Sequence, residues 1–279
     1  MRMLFALGFV ALACGRTTPH ADGPAQRVVS QVVFADEELW ELGDEARARV
    51  VGVSTMVDDA RYSGAAGKWP ASVARVAGSE AIVAATPDLV VIAEFTAAET
   101  RAVLEELGIR TLLLRGFDGF DDYRVHLREL GAAVGASAAA EARIAAFDRR
   151  LSELRVDDAS ARPGIVSWQE GTVAGSGTIF ADEVDAAGLR DLAGEHGITG
   201  HQSISLETLV AWDPELIAIG CSDDCARAEA DFAARPGIAL TRAGKHGGIV
   251  GLPAHMLYST GFGMLDVVAR LRERRSTSP

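Results

Sequence analysis

Short apolar runs alternate with amphipathic stretches along most of the chain. The apolar runs are rich in β-branched residues and predict strands at residues 28–34, 50–53, 89–93, 111–114, 164–168, 216–220 and 248–251. The stretches between them carry apolar residues at helical spacing and predict helices at residues 36–42, 97–107, 120–134, 182–187, 226–233 and 259–272. Residues 54–70 predict an exposed loop. This alternation predicts an α/β fold with mostly parallel sheets.

One segment of the pattern occurs twice, at residues 80–93 (EAIVAATPDLVVIA) and 207–220 (ETLVAWDPELIAIG). Each copy reads as a short helix, a proline that ends it, and a buried strand. The copies lie too far apart along the chain for a solenoid repeat. The sequence therefore predicts two similar Rossmann-like lobes with a ligand cleft between them.

A single long helix is predicted at residues 137–154, between the two copies. Its apolar positions form one stripe, made of Ile144, Phe147, Leu151 and Leu154. Its central place favours a rigid connector between the lobes over an ordinary surface helix. The predicted organisation is a first lobe at 28–135, a connecting helix at 136–160, a second lobe at 161–273 and a tail at 274–279.

The first fourteen residues predict a signal peptide. Arg2 precedes an apolar stretch that is too short to span a bilayer. The stretch ends in ALACG (11–15), which resembles a bacterial lipobox and makes Cys14 the expected lipidation site. The leucine stands one place closer to the cysteine than usual, and a secretory signal in which Cys14 has no role is the alternative. Residues 15–27 predict a flexible tether.

The chain is thus expected in the periplasm or at the cell surface, held on a bacterial membrane by a lipid anchor alone. In that location Cys221 and Cys225, four residues apart, predict a disulfide. Two free thiols and a metal-binding pair are the alternatives.

Charge and motifs narrow the function. The formal net charge is -12, with Lys and Arg scattered, so the chain lacks the basic footprint of a nucleic-acid-binding protein. The sequence contains no Gly-x-Ser-x-Gly, Walker A or His-Glu-x-x-His motif. Its six histidines are dispersed. We therefore expect no catalytic residues, no cofactor and no structural metal.

Ligands of open parallel sheets bind at the carboxyl ends of the strands. Those ends, together with the 54–70 loop, supply ten candidate ligand-binding residues: Phe34, Met56, Tyr62, Trp69, Phe95, Trp168, Gln169, Ser222, His255 and Tyr258. The set is aromatic and polar but poor in fixed charge. It predicts a bulky, partly flat ligand rather than a bare ion.

Longer stretches carry a family resemblance. They are residues 28–54, the loop ending in Trp69-Pro70, SEAIVAATPDLVVI (79–92), GIVSWQEGTVAGSGTIFADEVDAAGL (164–189) and SLETLVAWDPELIAI (205–219). Together they resemble the substrate-binding proteins of ABC importers for vitamin B12, ferric siderophores and haem. The resemblance covers nearly the whole chain after the signal peptide.

The resemblance implies two α/β lobes, one rigid connecting helix and a ligand between the lobes. It also implies that Glu80 and Glu207, one on each lobe, dock onto arginines of the permease dimer. The alternative is that each glutamate only stabilises a helix start, by ~0.3–1 kcal/mol. We expect a monomer that performs no chemistry.

The expected ligand is a metal chelate. The aromatic residues Tyr62, Trp69 and Trp168 favour cobalamin, and few arginines are placed for an anionic ferric siderophore. Haem would need Tyr258 and His255 as iron ligands. A secreted α/β enzyme and a sensor or adhesion lipoprotein without a permease are the rival functions.

Overall fold

The computed structural model describes residues 23–157, 162–222 and 224–277. The predicted signal peptide, Cys14 and most of the tether lie outside these residues. The strands of the first lobe are β1 (Val28–Ser30), β2 (Val50–Ser54), β3 (Ala74–Val76), β4 (Leu89–Ala93) and β5 (Thr111–Leu114). Its helices are α1 (Val33–Glu41), α2 (Asp44–Arg49), α3 (Gly78–Ala84), α4 (Ala98–Glu106) and α5 (Phe120–Ala133).

The connecting helix α6 spans Ser137–Leu154. In the second lobe the strands are β6 (Gly164–Trp168), β7 (Thr172–Ala174), β8 (Arg190–Asp191), β9 (His201–Ser203), β10 (Leu216–Cys221) and β11 (Ile249–Pro253). Its helices are α7 (Ile179–Ala186), α8 (Leu192–Glu195), α9 (Leu206–Trp212), α10 (Cys225–Ala233), α11 (Arg242–Lys245), α12 (Ala254–Leu257) and α13 (Met264–Thr277).

Each lobe is built on a parallel sheet. The first sheet has the order β3-β2-β1-β4-β5, and the second has the order β11-β10-β6-β8. Strands β7 and β9 form a separate antiparallel pair. The chain reverses its direction of travel through the sheet between β1 and β4, and again between β6 and β10. Crevices for ligands form at such switch points, at the carboxyl ends of the strands.

Helix α6 joins the lobes through a shared core. Its apolar stripe is buried as the sequence predicts, and it packs against α5 on one side and α13 on the other. One continuous hydrophobic cluster runs from Val28 in the first lobe through Phe147 on α6 to Val250 and Val268 in the second. A packed core resists deformation, so the lobes are held as one body at this level.

Two elements differ from their predicted bounds by four residues or more. The predicted strand at residues 28–34 stops at Ser30, because the Ser30 side chain bonds the backbone of Val32 and turns the chain into α1. The last helix begins at Met264 rather than near residue 259, after a turn closed by the Met264 N–H to Gly261 O bond. Strands β3, β7, β8 and β9 have no counterpart in the prediction, since two or three residues carry little periodic signal.

Candidate ligand-binding cleft

A cleft of about 1190 Å³ opens between the lobes. The first lobe contributes the turn that follows β2, residues 59–62. The second lobe contributes the carboxyl ends of β6, β10 and β11, the start of α12 and one face of α10. Six of the ten candidate residues lie together in its walls: Tyr62, Trp168, Gln169, Ser222, His255 and Tyr258.

Two tyrosines face one another across the cleft. The ring centroids of Tyr62 and Tyr258 are 5.2 Å apart, with the planes tilted by 47°. Tyr62 belongs to the first lobe and is partly buried, whereas Tyr258 follows α12 in the second lobe and is 56% exposed. His255 lies one helical turn before Tyr258 and also lines the cleft. Together, the two tyrosines and His255 bring two phenol groups and an imidazole to the walls of one cleft.

A tight turn holds Tyr62 in position. The backbone N–H groups of Tyr62 and Ser63 both donate to the Asp59 carbonyl, at 2.9 and 3.0 Å. The Arg61 guanidinium bonds the Asp59 carboxylate at 2.6 Å and lies 5.3 Å from the Tyr62 ring centroid. Hydrogen bonds from Arg61 lower the pKa of Asp59 to about 2, so this ion pair persists over the physiological range.

The second-lobe wall is formed where β6 and β10 end side by side. Trp168 is 8% exposed there, and the Gln169 Oε1 accepts a hydrogen bond from the Gly220 N–H at 3.2 Å. A Cβ at Gly220 would stand 2.8 Å from that oxygen, so a larger residue there would displace the Gln169 side chain. The Gln169 Nε2 is buried and has no hydrogen-bond partner among the described residues.

Cys221 and Cys225 form a disulfide in the cleft wall. It joins the last residue of β10 to the first residue of α10, with Cα atoms 5.1 Å apart. Gly251 on β11 makes room for it, since a Cβ there would lie 2.9 Å from the Cys225 Cβ. The bridge therefore fixes the start of α10 relative to the sheet.

Helix α10 brings residues that the strand-end argument did not include. Asp231, Phe232 and Arg235 line the cleft, and the Arg235 guanidinium lies 4.8 Å from the Phe232 ring centroid. Asp231 and Phe232 belong to the last turn of α10 and Arg235 follows its end, and the sequence gives no sign that these residues turn toward the cleft. Arg61, which pairs with Asp59, lies on the opposite wall.

Four candidate residues lie elsewhere, and two of these are core residues. Phe34 is 2% exposed and packs edge-on against Phe117 and Tyr123, because the chain is already helical at that point. Trp69 is 4% exposed, packs against Trp40 at 5.1 Å, and donates its indole N–H to a carbonyl of α1. Their expected ligand contacts are replaced by first-lobe packing.

Met56 and Phe95 are the other two. They are 46% and 70% exposed and follow β2 and β4 at the carboxyl edge of the first sheet, outside the cleft walls. Near the same edge, Arg75 of β3 pairs with Asp58 within the first lobe at 2.7 Å. Among the described residues, no group of three or more His, Cys, Asp or Glu side chains is arranged to hold a metal ion.

Three consecutive acids of α1 lie behind the Tyr62 turn. Burial raises the pKa of Asp36 to about 7, against the opposing hydrogen bonds from Ser54. Burial also raises the pKa of Glu38, which pairs with Arg143 of α6 at 3.0 Å. The first lobe thus places buried carboxyl groups next to the helix that joins the lobes.

Glu80 and Glu207 occupy matching places on the two lobes. Each lies exposed in the first turn of a short helix, α3 or α9. The Ser205 hydroxyl caps α9 by accepting from the Thr208 N–H at 3.2 Å. Hydrogen bonds from its own backbone N–H and from Ser205 lower the pKa of Glu207, so its carboxylate is ionised at the surface.

Two α/β lobes around a cleft, joined by one long helix, define a bilobal solute-binding protein. The chain belongs to the periplasmic binding protein family, whose model matches residues 37–256. This confirms the predicted fold and the resemblance to importer binding proteins of the vitamin B12, siderophore and haem class. Members of this family bind ligands outside the cytoplasm. None of the helices in the described ranges has the length and apolarity needed to cross a membrane.

Several solved structures are similar over almost their whole length. A periplasmic haem-binding protein from Pseudomonas aeruginosa shares 28% identity at a TM-score of 0.72, covering 91% of this chain and 93% of that one. The apo periplasmic haem-binding protein RhuT from Roseiflexus sp. RS-1 shares 20% at 0.72, covering 90% and 99%. An Fe3+-hydroxamate transport protein from Saccharomonospora viridis shares 18% at 0.72, covering 91% and 94%. No curated protein matches the chain.

Proposed function

We propose that this protein captures ferric haem outside the cytoplasm and delivers it to the permease of an ABC importer. The observation that carries the choice of haem is the Tyr62–Tyr258 pair, whose rings lie 5.2 Å apart in the inter-lobe cleft. Phenolate oxygen is an established axial ligand of haem iron, as is imidazole nitrogen. His255 beside the pair adds a second kind of donor.

The charges of the cleft suit the rest of a haem. Haem carries two propionate carboxylates at one edge of an apolar ring. Arg235 supplies a cation to the cleft wall, and planar guanidinium groups bind carboxylates well, whereas Arg61 on the other wall is already paired with Asp59. Trp168 and Phe232 give apolar contact for the ring. Several similar structures are haem-binding proteins by description, which agrees with this assignment.

The cobalamin expectation is weaker than the sequence suggested. It depended on three aromatic side chains, Tyr62, Trp69 and Trp168, and Trp69 is only 4% exposed and packed inside the first lobe. A ferric hydroxamate would gain little from the two phenol groups, because the oxygen atoms of the chelator already coordinate its iron. Both chelates are therefore comparison ligands in the test.

The direct test is a titration of the purified protein with hemin, cyanocobalamin and a ferric hydroxamate, followed by absorbance and by tryptophan quenching. We expect saturable one-site binding of hemin with a spectrum typical of phenolate-ligated ferric iron. Saturable binding of cyanocobalamin or the hydroxamate, with none of hemin, would overturn the assignment.

The chain has three tyrosines, which makes a matched set of variants possible. Tyr62→Phe and Tyr258→Phe each remove one phenol from the cleft, and we expect both to alter the iron spectrum and weaken hemin binding. Tyr123→Phe is the control, because Tyr123 is 1% exposed within the first-lobe core. If all three variants gave the wild-type hemin spectrum, the phenols of Tyr62 and Tyr258 would not be iron ligands.

Delivery would use Glu80 and Glu207. Their exposure and matching helix positions leave both carboxylates accessible to permease arginines on the two halves of a dimer. The Glu80→Ala/Glu207→Ala double variant should abolish uptake in cells and keep the hemin affinity. Glu99→Ala is the control, since Glu99 is also exposed in a first helical turn, on α4. Normal uptake by the double variant would refute the docking role.

Membrane attachment would depend on Cys14. Labelled palmitate should enter the wild-type protein and not Cys14→Ser, which would then be found free of the membrane fraction. Membrane association that survives the substitution would exclude this anchor.

A further inference from the structure

Glu37 on α1 lies between two turns, one from each lobe. Its Oε1 accepts a hydrogen bond from the Gly64 N–H at 2.6 Å, two residues after Tyr62. Its Oε2 lies beside Gly261, three residues after Tyr258, where an added Cβ would stand 3.2 Å from that oxygen. One carboxyl group therefore contacts the turns that follow both facing tyrosines.

The loop that contains Tyr62 (residues 54–70) makes further contacts with α1, and these lie at the end of the loop away from Tyr62. Lys68 bonds Glu41 at 3.0 Å, and the Trp69 indole N–H donates to a backbone carbonyl of α1 at 3.1 Å. Glu37 makes the tie nearest to Tyr62. A change at Glu37 should therefore move the tyrosine end of the loop while the far end stays fixed.

The second-lobe turn is held from the same helix. The Arg143 guanidinium, which pairs with Glu38 of α1 at 3.0 Å, lies 4.4 Å from the Phe262 ring centroid, and the Phe262 ring packs against Phe147 at 5.8 Å. This fixes Gly261 against α1 independently of Glu37. The Gly261 turn is therefore held in place without Glu37, whereas the position of the Tyr62 loop depends on Glu37.

We propose that Glu37 is a positioning residue of the ligand cleft: through the Gly64 N–H it holds the Tyr62 loop beside the Gly261 turn and so sets the Tyr62–Tyr258 geometry. Glu37 is not among the residues that line the cleft. The consequence for ligand binding rests on the proposed haem function, whereas the restraint on the loop does not.

The charged groups that face Glu37 are Asp36 and Glu38 on its own helix, Lys68 in the loop and Arg143 on α6. Burial raises the pKa of Glu37 to about 7, although Gly64, Lys68 and Arg143 oppose the shift. An ionised carboxylate is the stronger acceptor. The tie to Gly64 is therefore tighter above pH 7 than below it, which provides a readout that simple packing would not give.

The test compares wild type, Glu37→Ala, Glu37→Gln and the control Glu45→Ala, an exposed glutamate in the first turn of α2. Amide hydrogen exchange of the segment containing Gly64 is measured without ligand. Hemin affinity and the iron spectrum are measured at pH 6 and pH 8. Thermal unfolding establishes that each variant is folded.

We expect Glu37→Ala to speed exchange at Gly64 and to weaken hemin binding at pH 8 by ~10-fold each, the scale of one charge-assisted hydrogen bond. Glu37→Gln keeps an oxygen acceptor, so it should lose less affinity and reduce the difference between pH 6 and pH 8. A folded Glu37→Ala with wild-type exchange at Gly64, or with wild-type hemin affinity and spectrum, would overturn the inference. Failure of the wild type to bind hemin would remove the haem proposal, while the exchange result would still decide the role of Glu37.

Discussion

Replacement of Arg143 by methionine should destabilise the protein more than any exposed substitution on the same helix. Arg143 extends from α6 to the Glu38 carboxylate at 3.0 Å, and the Glu38 side chain is 1% exposed. It also lies over the Phe262 ring at 4.4 Å. Methionine keeps much of the apolar stem and removes the charge, so Glu38 is left buried without its cation.

The expected magnitude follows from burial. Removing one partner of a buried ion pair lowers the free energy of unfolding by ~3–5 kcal/mol. The Arg143 side chain is 24% exposed, so water already screens part of the pair and the lower end applies. We expect a loss of ~3 kcal/mol at pH 8, which corresponds to a fall in Tm of ~6–12 °C for a chain of this size.

The effect should depend on pH, with a definite sign. Burial raises the pKa of Glu38, and both contributions from Arg143 lower it. Without Arg143 the pKa of Glu38 rises further, so the folded state holds a proton that the unfolded state releases. The penalty is absent at pH values where Glu38 is protonated in both states and grows as the pH rises. The loss measured at pH 5 should therefore be smaller than the loss at pH 8.

Urea unfolding at pH 5 and pH 8 provides the assay. Arg149→Met is the control, because Arg149 is exposed on the same helix and should change stability by less than ~0.5 kcal/mol. The Glu38→Gln/Arg143→Met double variant should lose less than the sum of the single losses. A loss below ~1 kcal/mol at pH 8, or one that is larger at pH 5, would refute the reasoning.

Three further outcomes are expected. Replacing Cys221 and Cys225 by serine opens a loop of sequence separation 4 and should cost ~2 kcal/mol in urea unfolding, with added reductant then changing nothing. Burial raises the pKa of Asp36 from 3.8 to about 7. The free energy of unfolding should therefore fall by up to ~1.4 kcal/mol per pH unit as the pH rises between those values. Asp36→Asn should reduce this dependence of the unfolding free energy on pH. Asp182→Ala removes a second-lobe carboxylate that accepts from the Phe120 N–H at 2.8 Å, and should cost ~1 kcal/mol and speed exchange at that amide.

These contacts suggest how the cleft keeps its shape. Asp182 caps α5 from the other lobe, Arg143 ties α6 to α1, and Phe147 of α6 packs against Phe262 at 5.8 Å. The first links the two lobes directly, and the other two tie the connecting helix to the first and to the second lobe. A preorganised cleft loses less freedom when a rigid ligand enters.

Much of the fold was predictable because local periodicity encodes it. Helix α6 spans the predicted Ser137–Leu154, and β5 and β6 have their predicted bounds. The repeated segment gives a helix and a buried strand in both lobes, as predicted. These elements follow from apolar spacing and proline positions along a few residues, which a single sequence displays directly.

The residues that line the cleft were harder to predict, because they depend on where side chains point after distant segments pack together. Phe34 and Trp69 have the composition of ligand-contacting residues, yet a turn at Ser30 and a hydrogen bond to α1 place both in the core. Arg235 lies in the cleft because the chain leaves α10 on the side that faces it. Nothing in the local pattern distinguishes these cases.

The sequence by itself therefore determined the two lobes, the connecting helix and the edge of each sheet where a ligand would bind, since strand order and strand direction limit that choice. Only the tertiary structure decided that Tyr62 and Tyr258 face one another and that Glu37 lies behind both of their turns. Those residues are far apart in the chain, and the packing of one lobe on the other is what brings them together.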